Sequence, residues 1–159
     1  MRRSIEGFHQ DEAGEWVAEL SCLHGQHVRH QPPFQDRGWV LDAGRRAERI
    51  GQPIDCPLCD RAEPPEGLVL ARTVGPFDAA TLPDGLRRAH RVADRTWACL
   101  RVLSGSLTLA LETDPPRRLH LEAPTAQAIP PTIPHSVTPD GPVLMEIDFF
   151  VGESKDRDG

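Results

Sequence analysis

Cys22, His24, His27 and His30 fall within nine residues, and a second pair follows in Cys56-Pro57-Leu58-Cys59. Thiolates and imidazoles are the ligands that zinc prefers, and a tetrahedral site is usually closed by two short loops that each supply two of them. Cys56 and Cys59 form one such loop. Cys22 and one histidine form the other. His24, one spacer past Cys22 and followed by Gly25, is the first choice, and His27 is the second. His30 precedes Gln31-Pro32-Pro33 and suits a supporting hydrogen bond better than a bond to the ion. The plainer alternative is a set of unconnected Cys and His residues near a loop. A closed structural site is favoured over a reactive one, because catalysis needs an open coordination position.

The elements around these residues are short. Ile5–Gln10 and Glu15–Leu20 flank the turn-rich Asp11-Glu12-Ala13-Gly14, which predicts a β-hairpin delivering Cys22 at its end. Gln31-Pro32-Pro33-Phe34 is expected to be extended. A short helix is expected over 42–50, with Asp42 as its N-cap and Gly51 past its end. A segment of about 60 residues buries a modest fraction of its surface, so this part of the chain needs the ion to fold. Structural zinc contributes on the order of 10 kcal/mol or more in such domains.

After the polar, proline-bearing 60–67 the pattern changes to short strands. The expected strands are 68–74, 96–103, 107–112, 119–122, 126–129 and 143–151. Ser104-Gly105-Ser106 is read as the tight turn of a hairpin. Thr81–Arg88 is expected to hold a single helical turn. The fold class is therefore mainly β: a small zinc-stapled hairpin domain with a short helix, then a β-barrel or sandwich. The division is 1–62, a linker at 63–67, 68–152, and a disordered tail at 153–159.

Composition narrows the function. The net charge of −6 disfavours generic binding to nucleic acid or anionic membrane, and residues 1–62 carry ten acidic against eight basic side chains. No stretch is long and apolar enough to span a membrane. No apolar run follows Arg2-Arg3, so a signal peptide is not expected, and a cytoplasmic location is. In that compartment paired cysteines are ligands rather than disulfides.

Gly7-Phe8-His9-Gln10-Asp11, Trp16–Cys22, His24–His30, Pro32-Pro33-Phe34 and Trp39-Val40-Leu41 resemble a small bacterial domain of unknown function, over about residues 4–61. Some of its members are labelled pressure-regulated proteins. The resemblance implies that both ligand clusters belong to one unit, and it implies no activity. Thr81-Leu82-Pro83, His90, Thr96-Trp97, Gly105, Ile129-Pro130-Pro131, His135 and Ile147–Val151 resemble the TehB/YeaR-like domain, a small cupin-type barrel, over about 68–152. This second resemblance implies an association with tellurite resistance and other metalloid or oxyanion stress.

It also implies that a second divalent metal could be held by His90, His135 and a carboxylate, either Asp148 or Glu146. The HxH-then-Glu pattern common in cupins is absent, since Arg91 and Val92 follow His90. His90 and His135 are therefore read either as metal ligands or as polar residues lining a pocket. Cys99 is expected to be a small buried residue and not a nucleophile, and His120 to face solvent.

Three functions follow in order of preference. The first is a non-enzymatic stress-associated protein, with structural zinc and a pocket for a metal, metalloid oxyanion or small ligand. The second is a metal-dependent enzyme using His90 and His135, and the third an interaction module built on the zinc domain. A homodimer is an expectation from the apolar last strand alone.

Overall fold

A computed structural model describes residues 1–153. The expected tail lies outside the described residues from 154 onward. The chain is mainly β, as its pattern predicts, and it divides into two compact units, one from Met1 to Cys59 and one from Asp60 onward.

The first unit is a four-stranded sheet in the order β3-β2-β1-β4, built from β1 (Arg2–Gln10), β2 (Trp16–Leu20), β3 (Gly25–His27) and β4 (Pro53–Asp55). The expected hairpin is β1–β2, with Phe8 opposite Ala18 and Gln10 opposite Trp16. Asp11 closes its turn, because Oδ1 accepts from the amides of Ala13 at 2.9 Å and Glu15 at 2.8 Å. The helix α1 (Ala43–Ala47) is shorter than expected, but its start is as read: Asp42 Oδ1 accepts from Arg45 N at 2.8 Å. Gly51 follows with φ 80°. The guanidinium of Arg46 lies 3.6 Å above the Trp16 ring, fixing α1 to the sheet.

Residues 31–34 correct the expectation of extended chain. Gln31 and Gln35 exchange backbone hydrogen bonds of 2.8 and 2.9 Å, so the two prolines round a tight loop.

The second unit is a five-stranded sheet in which β5 (Leu68–Asp78), β9 (His135–Gly152), β6 (Thr96–Leu111) and β7 (Arg117–Glu122) lie in that order, and β8 (Thr125–Ile129) also pairs with β6. The helical turn expected near 81–88 forms over Asp84–Arg87. The hairpin expected at Ser104-Gly105-Ser106 does not form. β6 runs through it as one 16-residue strand, antiparallel to an 18-residue β9 that starts eight residues before the expected 143. Register shifts at 102/104 and 105/107 mark a bulge instead of a turn. Gly105 has φ +73°, and a Cβ there would lie 2.0 Å from the Pro142 carbonyl oxygen. Glycine at this position lets the two long strands bend together.

The interior of this unit is filled by Leu100, Leu107, Leu109, Leu111, Val137, Val143, Met145 and Ile147, all at most 5% exposed. Alternation along β9 places its odd-numbered residues 137, 143, 145 and 147 inside.

Candidate metal centre

Both ligand-bearing turns hang from β1. The first follows β2. Ser21 N donates to Ser4 O at 2.9 Å, and Leu23 N returns to Leu20 O at 2.8 Å. Leu23 occupies the left-handed region at φ 72°, and this lets the chain reverse within Cys22-Leu23-His24 before β3 begins. The second turn follows β4, where Cys56 N donates to Met1 O at 2.7 Å. The chain then winds into α2 (Pro57–Asp60), bringing Cys59 back towards Cys56. Pro57 suits the first helical position, because its missing N–H would have had no helical partner.

Cys22, His24, Cys56 and Cys59 converge as a result, and all four are buried. His24 Nδ1 lies 3.4 Å from Cys22 Sγ, 3.4 Å from Cys56 Sγ and 3.7 Å from Cys59 Sγ, while the Cys22 and Cys56 sulfurs are 3.9 Å apart. Bond lengths of about 2.3 Å to sulfur and about 2.0–2.1 Å to nitrogen give a zinc tetrahedron edges of roughly 3.8 Å (S to S) and 3.5 Å (S to N). The donor spacings match those edges, whereas a disulfide would draw two sulfurs to about 2.05 Å. All four cysteines are free thiols. The four donors could therefore hold a metal such as zinc.

Proton chemistry agrees with a shared site. Burial opposes charge on His24, but hydrogen bonding to Cys22 and Cys56 outweighs it and lifts the imidazole to about 9. Hydrogen bonds from Cys22 and Cys59 push the Cys56 thiol far below its ordinary range, and Cys59 is driven up by its neighbours Cys22 and Cys56. Such a cluster holds its protons in common, and a cation replaces them.

His27 is not brought to this cluster. It is exposed, and its Nε2 lies 2.9 Å from Asp11 Oδ2, with Glu15 nearby at 3.9 Å. β3 is the reason: after the turn the chain is extended, and His27 falls opposite Val17 at the far end of the strand. His30 serves its loop, where Nδ1 accepts from Arg37 N at 3.0 Å. A separate open cleft of about 360 Å³ is lined by Asp36, Gly38, Trp39, Arg45, Glu48 and Arg49. Its carboxylates offset its guanidinium groups, so it offers no simple anion site.

In the second unit His90 and His135 do come together. Their backbones exchange hydrogen bonds of 2.8 Å each way, and their rings meet edge to face at 5.5 Å. His135 is 3% exposed, and its Nδ1 donates to Ile133 O at 2.9 Å. Burial holds its pKa below the usual histidine value, with the Ile133 bond working against that and His90 adding to it. The neutral ring with a proton on Nδ1 leaves the Nε2 lone pair for a ligand.

The expected carboxylate is absent from this pair. Asp148 is on the opposite face of β9, where Oδ1 accepts from Thr73 Oγ1 at 2.6 Å and Oδ2 from Arg101 Nε at 2.6 Å. Glu146 is held by the same guanidinium, through Nη2 at 2.5 Å. Even-numbered residues of β9 point away from the interior that holds its odd-numbered ones. The three-ligand second site is thus not assembled.

Arg101 and Thr73 are residues that the sequence reading missed, although alternation along β6 puts Arg101 and Cys99 on one face. Cys99 is pushed up by burial and then by the Asp148 charge, so it stays a thiol and not a nucleophile. His120 is exposed as expected, 3.1 Å from Asp140.

Comparison with known proteins follows the same two-part division. Residues 6–63 match a family described as a protein of unknown function, DUF3565. Residues 72–147 match the TehB-like domain. A crystal structure of an E. coli (strain K12) protein is similar at 22% identity with a TM-score of 0.50, over 56% of this chain and 95% of that one. TehB from Haemophilus influenzae is similar at 17% identity with a TM-score of 0.51. That likeness covers 55% of this chain and 32% of TehB, so it spans about a third of that protein. At these identities the likeness concerns fold alone. No curated protein matches the chain. Among the described residues, no helix is long and apolar enough to cross a membrane.

Proposed function

We propose that the chain is a non-enzymatic, stress-associated metal-binding protein. Its first module, 1–62, holds structural zinc on Cys22, His24, Cys56 and Cys59. Its second, 68–152, is a TehB-like, cupin-type domain whose His90/His135 end receives a metalloid oxyanion, a metal or another small ligand.

The observation that carries the reading is the match between the four donor spacings, 3.4–3.9 Å, and the edges of a zinc tetrahedron. All four positions are filled by buried protein ligands, which leaves no place for substrate and favours a structural ion. The ion would join the turn after β2 to the turn after β4, and β1 would set the distance between them. A catalytic reading of the second module lacks its carboxylate, because Arg101 occupies both Asp148 and Glu146.

Elemental analysis of the full chain tests the zinc part. One zinc per chain is expected, and Cys56→Ser should abolish it. A wild-type protein that holds no metal would overturn the proposal. Titration with tellurite and selenite, followed by calorimetry, tests the second part. Binding that His135→Ala removes is expected, whereas binding unaffected by both His90→Ala and His135→Ala would place the ligand elsewhere.

A further inference from the structure

Three thiolates, a neutral imidazole and a divalent ion sum to one negative charge. Such a charge is costly to bury unless a cation accompanies it. Alternation along β1 turns Arg3 and Ile5 inward and leaves Arg2, Ser4 and Glu6 exposed. Arg3 is consequently 5% exposed, in a sheet where a guanidinium would ordinarily face water.

Its place in the ladder is specific. One residue on, Ser4 O receives Ser21 N from the first ligand turn. Two residues back, Met1 O receives Cys56 N from the second. Arg3 itself is opposite Ile54, two residues before Cys56. Its Nη2 lies 2.8 Å from Sδ of Met1, the residue whose carbonyl receives Cys56 N, so the buried guanidinium is held beside the second ligand turn.

We infer that Arg3 is a counter-ion of the metal centre, placed on the inward face of β1 between the two ligand turns to offset the net negative charge of three thiolates around a divalent ion. The inference rests on the zinc reading above. It is a charge effect, so it strengthens zinc retention and makes the thiolates poorer nucleophiles.

The test uses the full-length, zinc-loaded protein with two readouts. Zinc affinity is measured by competition with a chromophoric chelator, and thiolate reactivity by the rate of zinc release under N-ethylmaleimide. Arg3→Gln should weaken zinc about 10-fold or more and speed release by a similar factor, the range seen when outer-sphere partners of metal ligands are removed. Arg3→Lys should recover most of both. A charge-swapped background keeps the test decisive if Arg3→Gln folds poorly. Cys59→His converts the ligand set to two thiolates and two imidazoles, which is neutral with zinc. In that background Arg3→Gln should fold and lose little affinity.

Equal effects of Arg3→Gln in both backgrounds, or an Arg3→Lys protein as defective as Arg3→Gln, would overturn the inference and assign Arg3 a packing role. Unchanged affinity and release rate in Arg3→Gln would overturn it as well. These outcomes leave zinc binding itself intact, whereas a wild-type protein without zinc overturns both readings.

Discussion

His24 and His27 are three residues apart and are placed in opposite environments. One is 4% exposed among three sulfurs, and the other sits in water beside Asp11. His24→Ala should therefore weaken zinc by more than about 100-fold, since even outer-sphere partners are worth about 10–100-fold. His27→Ala should leave zinc content unchanged, which elemental analysis of the two variants checks. Residue types and spacing single out the three cysteines of the candidate site and rank His24 first among the histidines, because metal preference is a local chemical property. The choice among histidines was open because it depends on Leu23 entering the left-handed region, and a leucine gives no sign of that.

Asp148 carries a second prediction. Arg101, and after it Thr73, hold its carboxyl below the usual range against the opposing effect of burial. Its stabilising contribution is therefore fully present above the unfolded carboxylate value of about 3.9 and is lost as pH falls through the lower folded value. Asp148→Asn should cost about 1–2 kcal/mol at neutral pH, with half-exposed Arg101 limiting the figure. The deficit should begin to shrink as pH falls below about 3.9 and be lost as pH passes through the lower folded value, read by urea denaturation in acid. A deficit that persists undiminished in acid would mean that the carboxylate charge is not what Arg101 holds.

At the scale of elements, the β1–β2 hairpin and the α1 cap were readable because Asp11, Gly14, Asp42 and Gly51 act within a few residues of themselves. The β6–β9 ribbon was not. Ser104-Gly105-Ser106 on one strand and Pro139, Gly141 and Pro142 on the other have the composition of turns, yet they face each other as a shared bend. That disguise also produced the error at Asp148. With β9 expected to begin at Val143, nothing linked its alternation to His135. Once the strand is continuous, residues 135 and 148 differ by an odd number and point to opposite faces. Gly105→Ala probes the bend directly. It places a Cβ against the Pro142 carbonyl and forces alanine to φ +73°. A loss of about 3 kcal/mol or more is expected from backbone strain plus overpacking, read as a lowered midpoint in urea. A variant within about 0.5 kcal/mol of wild type, the range of neutral surface changes, would mean that the ribbon is a pair of hairpins after all.

For the whole molecule, the two units differ in what holds them together. The second buries a continuous apolar cluster from Leu82 to Ile147 and has long ladders between β5, β9 and β6. The first has four strands, two of only three residues, and three of its buried side chains are Cys22, Cys56 and Cys59 of the candidate metal site. Its core is thus partly the candidate site, and an ion held there, as proposed, would link the Cys22 and Cys56 turns. Hydrogen exchange on the full chain separates the two cases. After treatment with a strong zinc chelator, amides of the β1–β2 and β1–β4 ladders should lose protection by orders of magnitude. Amides of the β6–β9 ladder should keep theirs, since opening free energies need not be uniform across a chain. Reloading with zinc should restore the first set. If protection of β1, β2 and β4 survived chelation, the sheet would be stable on its own contacts, and the four buried donors would be a ligand set that the fold tolerates rather than one it depends on.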